Sequence, residues 1–312
     1  MCKLLGVVGA KTDTGSEKKL HEFVVAAQKL MSATDADGFG YAAFSHDPAS
    51  KAMSLYGQKW VDPKDAFSTQ KSMLKDRHSY STDLAGFVSD PGVDFAESQM
   101  GDDLKEKSTI RTIIAHARLA TCDVVISNTH PFFDEINEMV LIHNGVISNH
   151  AMIKKFQSTC DSESILTAYV EEGVRENIKK IQQAINRLTG SYAVMILARN
   201  HDKTGWYVDI FKNQSTNLYV SYLKDFGCYV FATTDRIIKL AAKASGLRHG
   251  SIVPAEAGIL IRLDAVTGEL IDSCDFTSHV PYTQVGYSVP RKGDYYRKGE
   301  TWNGRSWEEA QD

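Results

Sequence analysis

The sequence MCKLLGVVG at residues 1–9 predicts a short buried strand that begins with a cysteine directly after Met1. Cys2 is open to two interpretations. It is either a small apolar residue that enters a strand, or an N-terminal nucleophile that removal of Met1 would expose. In the second case one residue carries both a thiol and a free α-amino group. That amine has a reference pKa of roughly 7.7–8.0 and could serve as a base near neutral pH.

The composition is that of a globular protein with room for a large core. The chain has 312 residues, of which 43% are hydrophobic and 24% charged. Its net charge of -4 gives no general attraction to nucleic acid or to an anionic membrane. No apolar run approaches the roughly 20 residues that span a bilayer, and the first residues do not form a signal peptide. We therefore expect no nucleic-acid partner and no membrane association.

The five cysteines are an odd number and lie far apart, without a CxxC pair. This pattern argues against a disulfide framework and against a zinc site. It favours a reducing compartment, so we expect a cytoplasmic protein. No metal or organic cofactor is indicated, and the sequence leaves the oligomeric state open.

Hydrophobic periodicity predicts strands and helices in an order without βαβ alternation. Helices are predicted over 17–31, near 65–75, and over 151–157, 162–173, 176–188 and 234–246. Strands are predicted at 2–10, 41–45, 49–57, 108–121, 191–199, 205–212, 217–223, 228–233, 257–264 and 269–276, and residues 139–148 form two apolar runs around Asn-Gly. This order predicts an α+β fold of antiparallel sheets with helices packed outside them.

The chain divides into a domain over residues 1–280 and a polar, aromatic tail over residues 281–312. The tail is rich in Gly, Tyr, Trp and charge and lacks aliphatic periodicity. We expect it to be extended, either lying on the domain or staying mobile.

Two motifs lie at and after the end of the strand predicted over 108–121. In HARLAT at 116–121, Arg118 near the end of an apolar strand could hold a carboxylate through its guanidinium fork, or could be a surface residue of an edge strand. In NTHPFF at 128–133, His130 precedes a proline and is expected to be extended, in a loop.

The sequence LIHNGVISN at 141–149 places Asn-Gly between two apolar runs, which is a strong signal for a two-residue hairpin turn. The turn alone would explain it. The functional alternative is that the Asn144 amide and the Gly145 N–H together form a donor pair for an oxyanion.

Two further motifs have ordinary structural interpretations. In CDSESIL at 160–166, Asp161 or Ser162 could cap a helix, with an acidic residue in the first turn. The sequence DADGFG at 35–40 is typical of a glycine turn. Each motif is weak alone, but their joint presence in one order is specific.

With Cys2, DGFG, HARLAT, NTHPF, HNG and DSE in this order, the chain resembles the class II glutamine amidotransferases. These enzymes belong to the N-terminal nucleophile (Ntn) hydrolases. The resemblance is clearest over residues 1–200, and the strands up to residue 280 are compatible with completing the domain. It implies a four-layer αββα sandwich of two antiparallel sheets flanked by helices.

The resemblance also implies a role for each matching residue. Cys2 would be the nucleophile with its own amine as general base, and Asn144 with the Gly145 N–H would form the oxyanion hole. Arg118 would bind the α-carboxylate of glutamine and Asp161 its α-amino group. Thr121 would lie in the same pocket. His130 would support the loop rather than react.

The chain departs from the family pattern at three places. Lys3 stands where a glycine usually follows the nucleophile, Cys122-Asp123 replaces His-Gly after HARLAT, and the segment between HNG and DSE is short. The proposed nucleophile, oxyanion donors and carboxylate site are unchanged by these departures. The departures concern the loop that is expected to close over bound glutamine.

Three functions follow as alternatives. The first is glutamine hydrolysis to glutamate and ammonia, with the ammonia transferred to an acceptor that a separate partner enzyme handles. The second is an Ntn amidohydrolase that acts on another γ-glutamyl or amide compound without ammonia transfer. The third is a catalytically silent binding module, against which the complete set of candidate residues argues.

Overall fold

The computed structural model describes residues 2–11, 17–32, 36–49, 51–61, 77–83, 86–87, 109–120, 122–153, 158–171, 177–279, 300–302 and 307–309. The chain divides into two compact units, Met1–His279 and Val280–Asp312. The helix predicted near 65–75 and most of the tail predicted over 281–312 lie outside the described residues. The predicted domain boundary at residue 280 stays a prediction.

The first unit contains a nine-stranded sheet in which each described pairing is antiparallel. Its strands, in spatial order, are β13 (Val253–Pro254), β11 (Tyr219–Leu223), β12 (Cys228–Ala232), β1 (Lys3–Val8), β6 (Thr109–Arg118), β2 (Gly38–His46), β3 (Met53–Trp60), β4 (Arg77–Asp83) and β5 (Gly86–Phe87). The opening strand β1 therefore lies near the middle of this sheet, between β12 and β6.

The second sheet has six antiparallel strands. In spatial order they are β15 (Leu270–Asp275), β14 (Ile259–Asp264), β10 (Trp206–Lys212), β9 (Gly190–Arg199), β8 (Met139–Ile147) and β7 (Phe132–Asp134). Its inner strands are rich in aliphatic and aromatic residues, which suit a pleated surface that is buried on both faces.

Four α-helices cover the outer faces of the sheets in the described part of the chain: α1 (Glu17–Ser32), α2 (Glu163–Glu171), α3 (Ile178–Asn186) and α4 (Asp235–Ser245). Local signals account for their ends. The Asn177 side chain accepts a hydrogen bond from the Lys179 N–H at the start of α3, and Gly246 ends α4 in the left-handed conformation. Instead of the helix predicted over 151–157, a 3₁₀ turn spans His150–Met152, and residues 154–157 lie outside the described part.

Three apolar clusters fill the spaces between four layers. One joins α1 and α4 to the nine-stranded sheet, one lies between the two sheets, and one joins the six-stranded sheet to α2 and α3. Because alternate residues of a strand face opposite sides, Leu4 packs between the sheets whereas Leu5 packs under the helices. The predicted α+β, four-layer αββα sandwich is confirmed.

The second unit is described only as two short antiparallel strands, β16 (Glu300–Trp302) and β17 (Trp307–Glu309). In neither unit do the described residues include a helix that is both long and apolar enough to cross a membrane.

Candidate active site

Cys2 directly precedes β1. The next residue, Lys3, pairs with Ala117 of β6. The antiparallel register continues from this pair to place Cys2 opposite Arg118. The Cys2 thiol interacts with the backbone at the end of β6. Its Sγ accepts a hydrogen bond from the Leu119 N–H (3.2 Å) and lies 3.3 Å from the Leu119 carbonyl oxygen.

The surroundings of Cys2 favour the protonated thiol. Burial raises its pKa above the ordinary value. The Leu119 N–H and the positive charge of Arg118 act in the opposite direction but do not reverse the shift. A reaction through this thiol at neutral pH therefore requires a nearby base.

Arg118 is only 3% exposed, and its guanidinium lies against the loop that follows β6. Its Nη2 donates hydrogen bonds to the carbonyl oxygens of Cys122 (2.9 Å) and Asp123 (3.1 Å) and to the Cys122 Sγ (3.1 Å). Its Nη1 is buried and has no hydrogen-bond partner within the described part of the chain. A buried guanidinium nitrogen in this state is well suited to a carboxylate ligand.

Sequence reasoning missed Asp37, which holds the end of β6. Its carboxylate accepts a hydrogen bond from the Ala120 N–H (2.7 Å), and its own N–H donates to the Arg118 carbonyl oxygen (2.8 Å). The glycine-turn interpretation of DADGFG is wrong for the residues described, because Gly38 and Gly40 belong to strand β2. A β-carbon at Gly40 would collide with the His130 carbonyl oxygen, so this glycine permits close packing of the NTHPFF segment.

Asn144 and Gly145 lie inside a continuous strand, so the hairpin-turn interpretation of HNG is wrong. β8 runs through both residues and pairs with β9 from Met139 to Ile147. Asn144 is 3% exposed and, by alternation, shares the face of Val140 and Ile142 that packs between the sheets.

The Gly145 backbone has a φ of 142°, a conformation that is open mainly to glycine. A β-carbon at this position would collide with the Ser191 carbonyl oxygen of β9. The glycine is therefore required by the pairing of β8 and β9 rather than by a turn.

Asp161 lies just before α2 but does not cap it through its side chain. Its Oδ2 accepts a hydrogen bond from the Ile147 N–H of β8 (2.6 Å), while its carbonyl oxygen accepts the bonds from Ser164. The negative charge of Asp161 also acts to raise the pKa of Cys2, which places the two groups in the same electrostatic environment.

His130 belongs to a buried group of three histidines. Its ring lies 4.1 Å from that of His116 and 6.4 Å from that of His143, measured between ring centroids. Burial is the largest cause that lowers the pKa of each ring, and it lowers that of His116 to about 3. The three rings are therefore neutral at pH 7.

His143 and Ser162 connect β8 to the start of α2. The His143 Nδ1 and the Ser162 Oγ are 2.8 Å apart, so Ser162 bonds to the histidine rather than to the helix backbone. His116 and His143 lie inside the HARLAT and HNG motifs. The histidine in each of these motifs is a sequence signal for this group that the sequence analysis does not use.

Thr121, which the resemblance places in the glutamine pocket, and Met1 lie outside the described residues. The other six expected residues are described. Cys2 and Arg118 are opposite in register, β1 and β6 pack against β8, and Asp161 bonds to β8.

Two other cysteines are poor candidates for the nucleophile. Burial raises the pKa of both Cys160 and Cys228 to about 12, which disfavours their thiolates. In the part of the chain that the structure describes, no group of three His, Cys, Asp or Glu side chains is arranged to hold a metal ion.

Comparison with protein families supports the resemblance. A sequence model of the glutamine amidotransferase domain matches residues 98–237. A glutamine–fructose-6-phosphate aminotransferase from Bacteroides thetaiotaomicron is 32% identical over 216 residues, which cover 64% of this chain and 28% of that protein. A protein of the same name from Helicobacter pylori is 33% identical over 115 residues, covering 33% and 19%. The chain thus spans under a third of the length of these relatives.

Among solved structures, this fold is similar to that of glutamine phosphoribosylpyrophosphate (PRPP) amidotransferase from B. subtilis, solved with ADP and GMP. The TM-score is 0.51 at 17% sequence identity, and the alignment covers 88% of this chain and 49% of that one. At this identity the likeness shows a shared fold alone.

Proposed function

The chain carries a class II glutamine amidotransferase domain with the Ntn-hydrolase fold, and from this premise we propose that it hydrolyses the side-chain amide of glutamine through Cys2. The observation that carries the proposal is the position of the Cys2 thiol. It is opposite Arg118 in register, hydrogen-bonded at the end of β6, and on the side of the sheet that packs against β8 with Asn144 and Gly145.

The chemistry begins with cleavage of the Met1–Cys2 bond, which frees the α-amine of Cys2. Because burial raises the pKa of the thiol, this amine acts as the base that removes its proton. The sulfur attacks the side-chain amide carbon, the C–N bond breaks, and ammonia leaves with the proton. Water then hydrolyses the γ-glutamyl thioester, releasing glutamate and restoring the thiol.

Asn144 and Gly145 stabilise the oxyanion of the tetrahedral intermediate. The supporting feature is that Asn144 is buried on the inner face of a paired strand, so its side chain is directed into the space between the sheets. A donor of this kind typically contributes about 2.7–4 kcal/mol to the transition state.

Arg118 and Asp161 recognise glutamine as a free amino acid. The unbonded Nη1 of Arg118 pairs with the α-carboxylate, and the Asp161 carboxylate pairs with the α-ammonium group. We assign Thr121 to the same pocket from the resemblance, and His130 to the support of the loop, where it packs on Phe132 with a centroid distance of 4.7 Å.

We further propose that the released ammonia is transferred to an acceptor, and that a separate protein handles this acceptor. The support is that the Bacteroides relative is named as an aminotransferase that uses glutamine, and that a glutamine amidotransferase domain model matches residues 98–237 of this chain. A cytoplasmic location belongs to the same proposal, because all five cysteines are free thiols.

The nucleophile is tested by labelling the full chain with the glutamine-analogue electrophile 6-diazo-5-oxo-L-norleucine, followed by intact and peptide mass spectrometry. We expect the mass to lack Met1 and the label to sit on Cys2. Cys2→Ala should lose glutaminase turnover and labelling, whereas Cys122→Ser, a control at the neighbouring thiol, should retain the label. Retention of Met1 together with an unlabelled Cys2 would rule out this mechanism.

The acceptor is tested by measuring ammonia release from glutamine with the purified chain alone and after addition of desalted cell extract. We expect slow turnover alone and stimulation by a protein fraction. Fast turnover without extract, combined with a preference for another γ-glutamyl compound, would instead favour an amidohydrolase without ammonia transfer.

A further inference from the structure

A cavity lies between the two sheets, and Cys2 is not among the residues that line it. It encloses about 380 Å³ and is bounded by β10 and β14 of one sheet and by β11 and β12 of the other. We call it the lateral pocket and define it by six of its lining residues: Ile210, Lys212, Leu218, Phe231, Ile261 and Leu263. Five of the six are apolar, so the pocket favours an apolar occupant.

Lys212 is the buried charged residue of the lateral pocket. It is only 8% exposed, and its Nζ donates a hydrogen bond to the Asn213 carbonyl oxygen (3.0 Å). None of the described carboxylates forms an ion pair with it, and Glu256 of the same pocket is solvent-exposed. Burial accordingly lowers the pKa of the amine.

A buried ammonium without a counter-charge is costly, and of its three N–H donors only one has an acceptor among the described residues. A ligand that carries a negative charge would remove this cost. The apolar walls and the single buried cation together specify an apolar molecule with one anionic end.

The lateral pocket is separate from the proposed glutamine site but lies in the same layer. The register pairs Lys212 with Ala193 and Ala193 with Asn144, which places the three residues in one row across the sheet. Neighbouring strands are about 4.8 Å apart, so the row puts Lys212 about 10 Å from Asn144. Ala193 is buried between them.

We propose that the lateral pocket binds a small apolar monoanion, such as an aliphatic or aryl carboxylate. The carboxylate pairs with the Lys212 ammonium, and the hydrocarbon part contacts Ile210, Ile261 and Phe231. The proposal goes beyond the glutaminase function and does not depend on it.

The test is isothermal titration calorimetry of the full chain with octanoate and, as a neutral probe of equal length, 1-octanol. We expect saturable octanoate binding, at least about tenfold tighter than that of 1-octanol. Lys212→Met should weaken octanoate binding by about tenfold while leaving 1-octanol binding unchanged or tighter. Lys224→Met, at an exposed lysine nearby in sequence, should bind octanoate as the unmodified chain does.

A second variant, Leu218→Trp, fills the cavity and should abolish binding of both probes, and thermal unfolding checks that each variant is folded. If Lys212→Met does not fold, Leu218→Trp alone decides. Octanoate binding that survives Leu218→Trp, or equal binding by the unmodified chain and Lys212→Met, would overturn the proposal. So would the absence of saturable binding by both octanoate and 1-naphthoate.

Discussion

Arg118 shows how a single residue is prepared for a ligand. Three acceptors in the loop after β6 hold its Nη2, whereas the buried Nη1 lacks a hydrogen bond within the described residues. The side chain is thus fixed in place, and its Nη1 can donate hydrogen bonds to a ligand. This arrangement depends on the planar fork of a guanidinium, which a lysine ammonium does not reproduce.

We predict that Arg118→Lys raises the KM for glutamine and lowers kcat/KM by about 10- to 100-fold, since a charge-assisted hydrogen bond is worth about 1.5–3 kcal/mol. Steady-state assays of ammonia release measure both parameters. The control is Arg248→Lys, at an exposed residue paired with Asp225, which should leave both unchanged. An unaltered KM in Arg118→Lys would contradict the assigned role.

The buried histidines make stability depend on pH at the residue scale. The pKa of His116 is lowered to about 3 in the folded chain, while an unfolded histidine titrates near 6.5. Because the pKa of His116 is lower in the folded chain, its contribution to the free energy of unfolding is complete above pH 6.5. It is lost as the pH falls, because only the unfolded state then gains the proton.

We predict that His116 alone accounts for a loss of about 2 kcal/mol in the free energy of unfolding between pH 7 and pH 5. Urea unfolding at both pH values gives this difference. His116→Gln should reduce the difference by about that amount, whereas His201→Gln, at an exposed position, should not change it. The same pH dependence in His116→Gln as in the unmodified chain would show that the histidine is not buried as described.

At the scale of the element, β8 is where a local signal and the observed structure differ. Asn-Gly between apolar runs is typical of a two-residue hairpin, but β8 continues through Asn144 and Gly145 because β9 pairs with its full length. Nine residues of pairing outweigh a local turn preference. Here the glycine provides a φ of 142° and room for the Ser191 carbonyl oxygen.

We predict that Gly145→Ala lowers the free energy of unfolding by about 3 kcal/mol or more, because it combines an unfavourable φ with a backbone collision. Gly246→Ala is the matched control: it also has a positive φ, 65°, but no atom lies within 4 Å of the new β-carbon. It should cost only about 1 kcal/mol. Equal costs in urea unfolding would mean that the collision with β9 is absent.

At the scale of the whole molecule, contact between the two sheets holds the inner layers together. Trp206 of β10 and Phe44 of β2 come from different sheets and have ring centroids 5.5 Å apart. Both residues are buried in the cluster between the sheets. The same contact between layers brings β1 and β6 against β8, and with them the proposed catalytic residues.

We predict that Trp206→Ala lowers the free energy of unfolding by about 3–5 kcal/mol, because it leaves a cavity between the sheets. Leu270→Ala, at a side chain that is 61% exposed, should change it by no more than about 0.5 kcal/mol. Chemical denaturation of both variants makes the comparison. A small effect at Trp206 would indicate that the sheets do not depend on this contact.

The sequence by itself determined the α+β class, the main strands and helices, and the order of motifs around Cys2, because periodicity and motif composition are local properties of the chain. The four-layer αββα arrangement was implied by the family resemblance that these motifs carry. It also supplied the candidate residues, whose roles remain proposals. Only the tertiary structure decided that HNG is a strand, that Asp161 bonds to β8, and that Asp37 holds the end of β6. It also brought His116, His130 and His143 together. The physical reason is that each of these outcomes depends on partners distant in sequence, which local pattern does not specify.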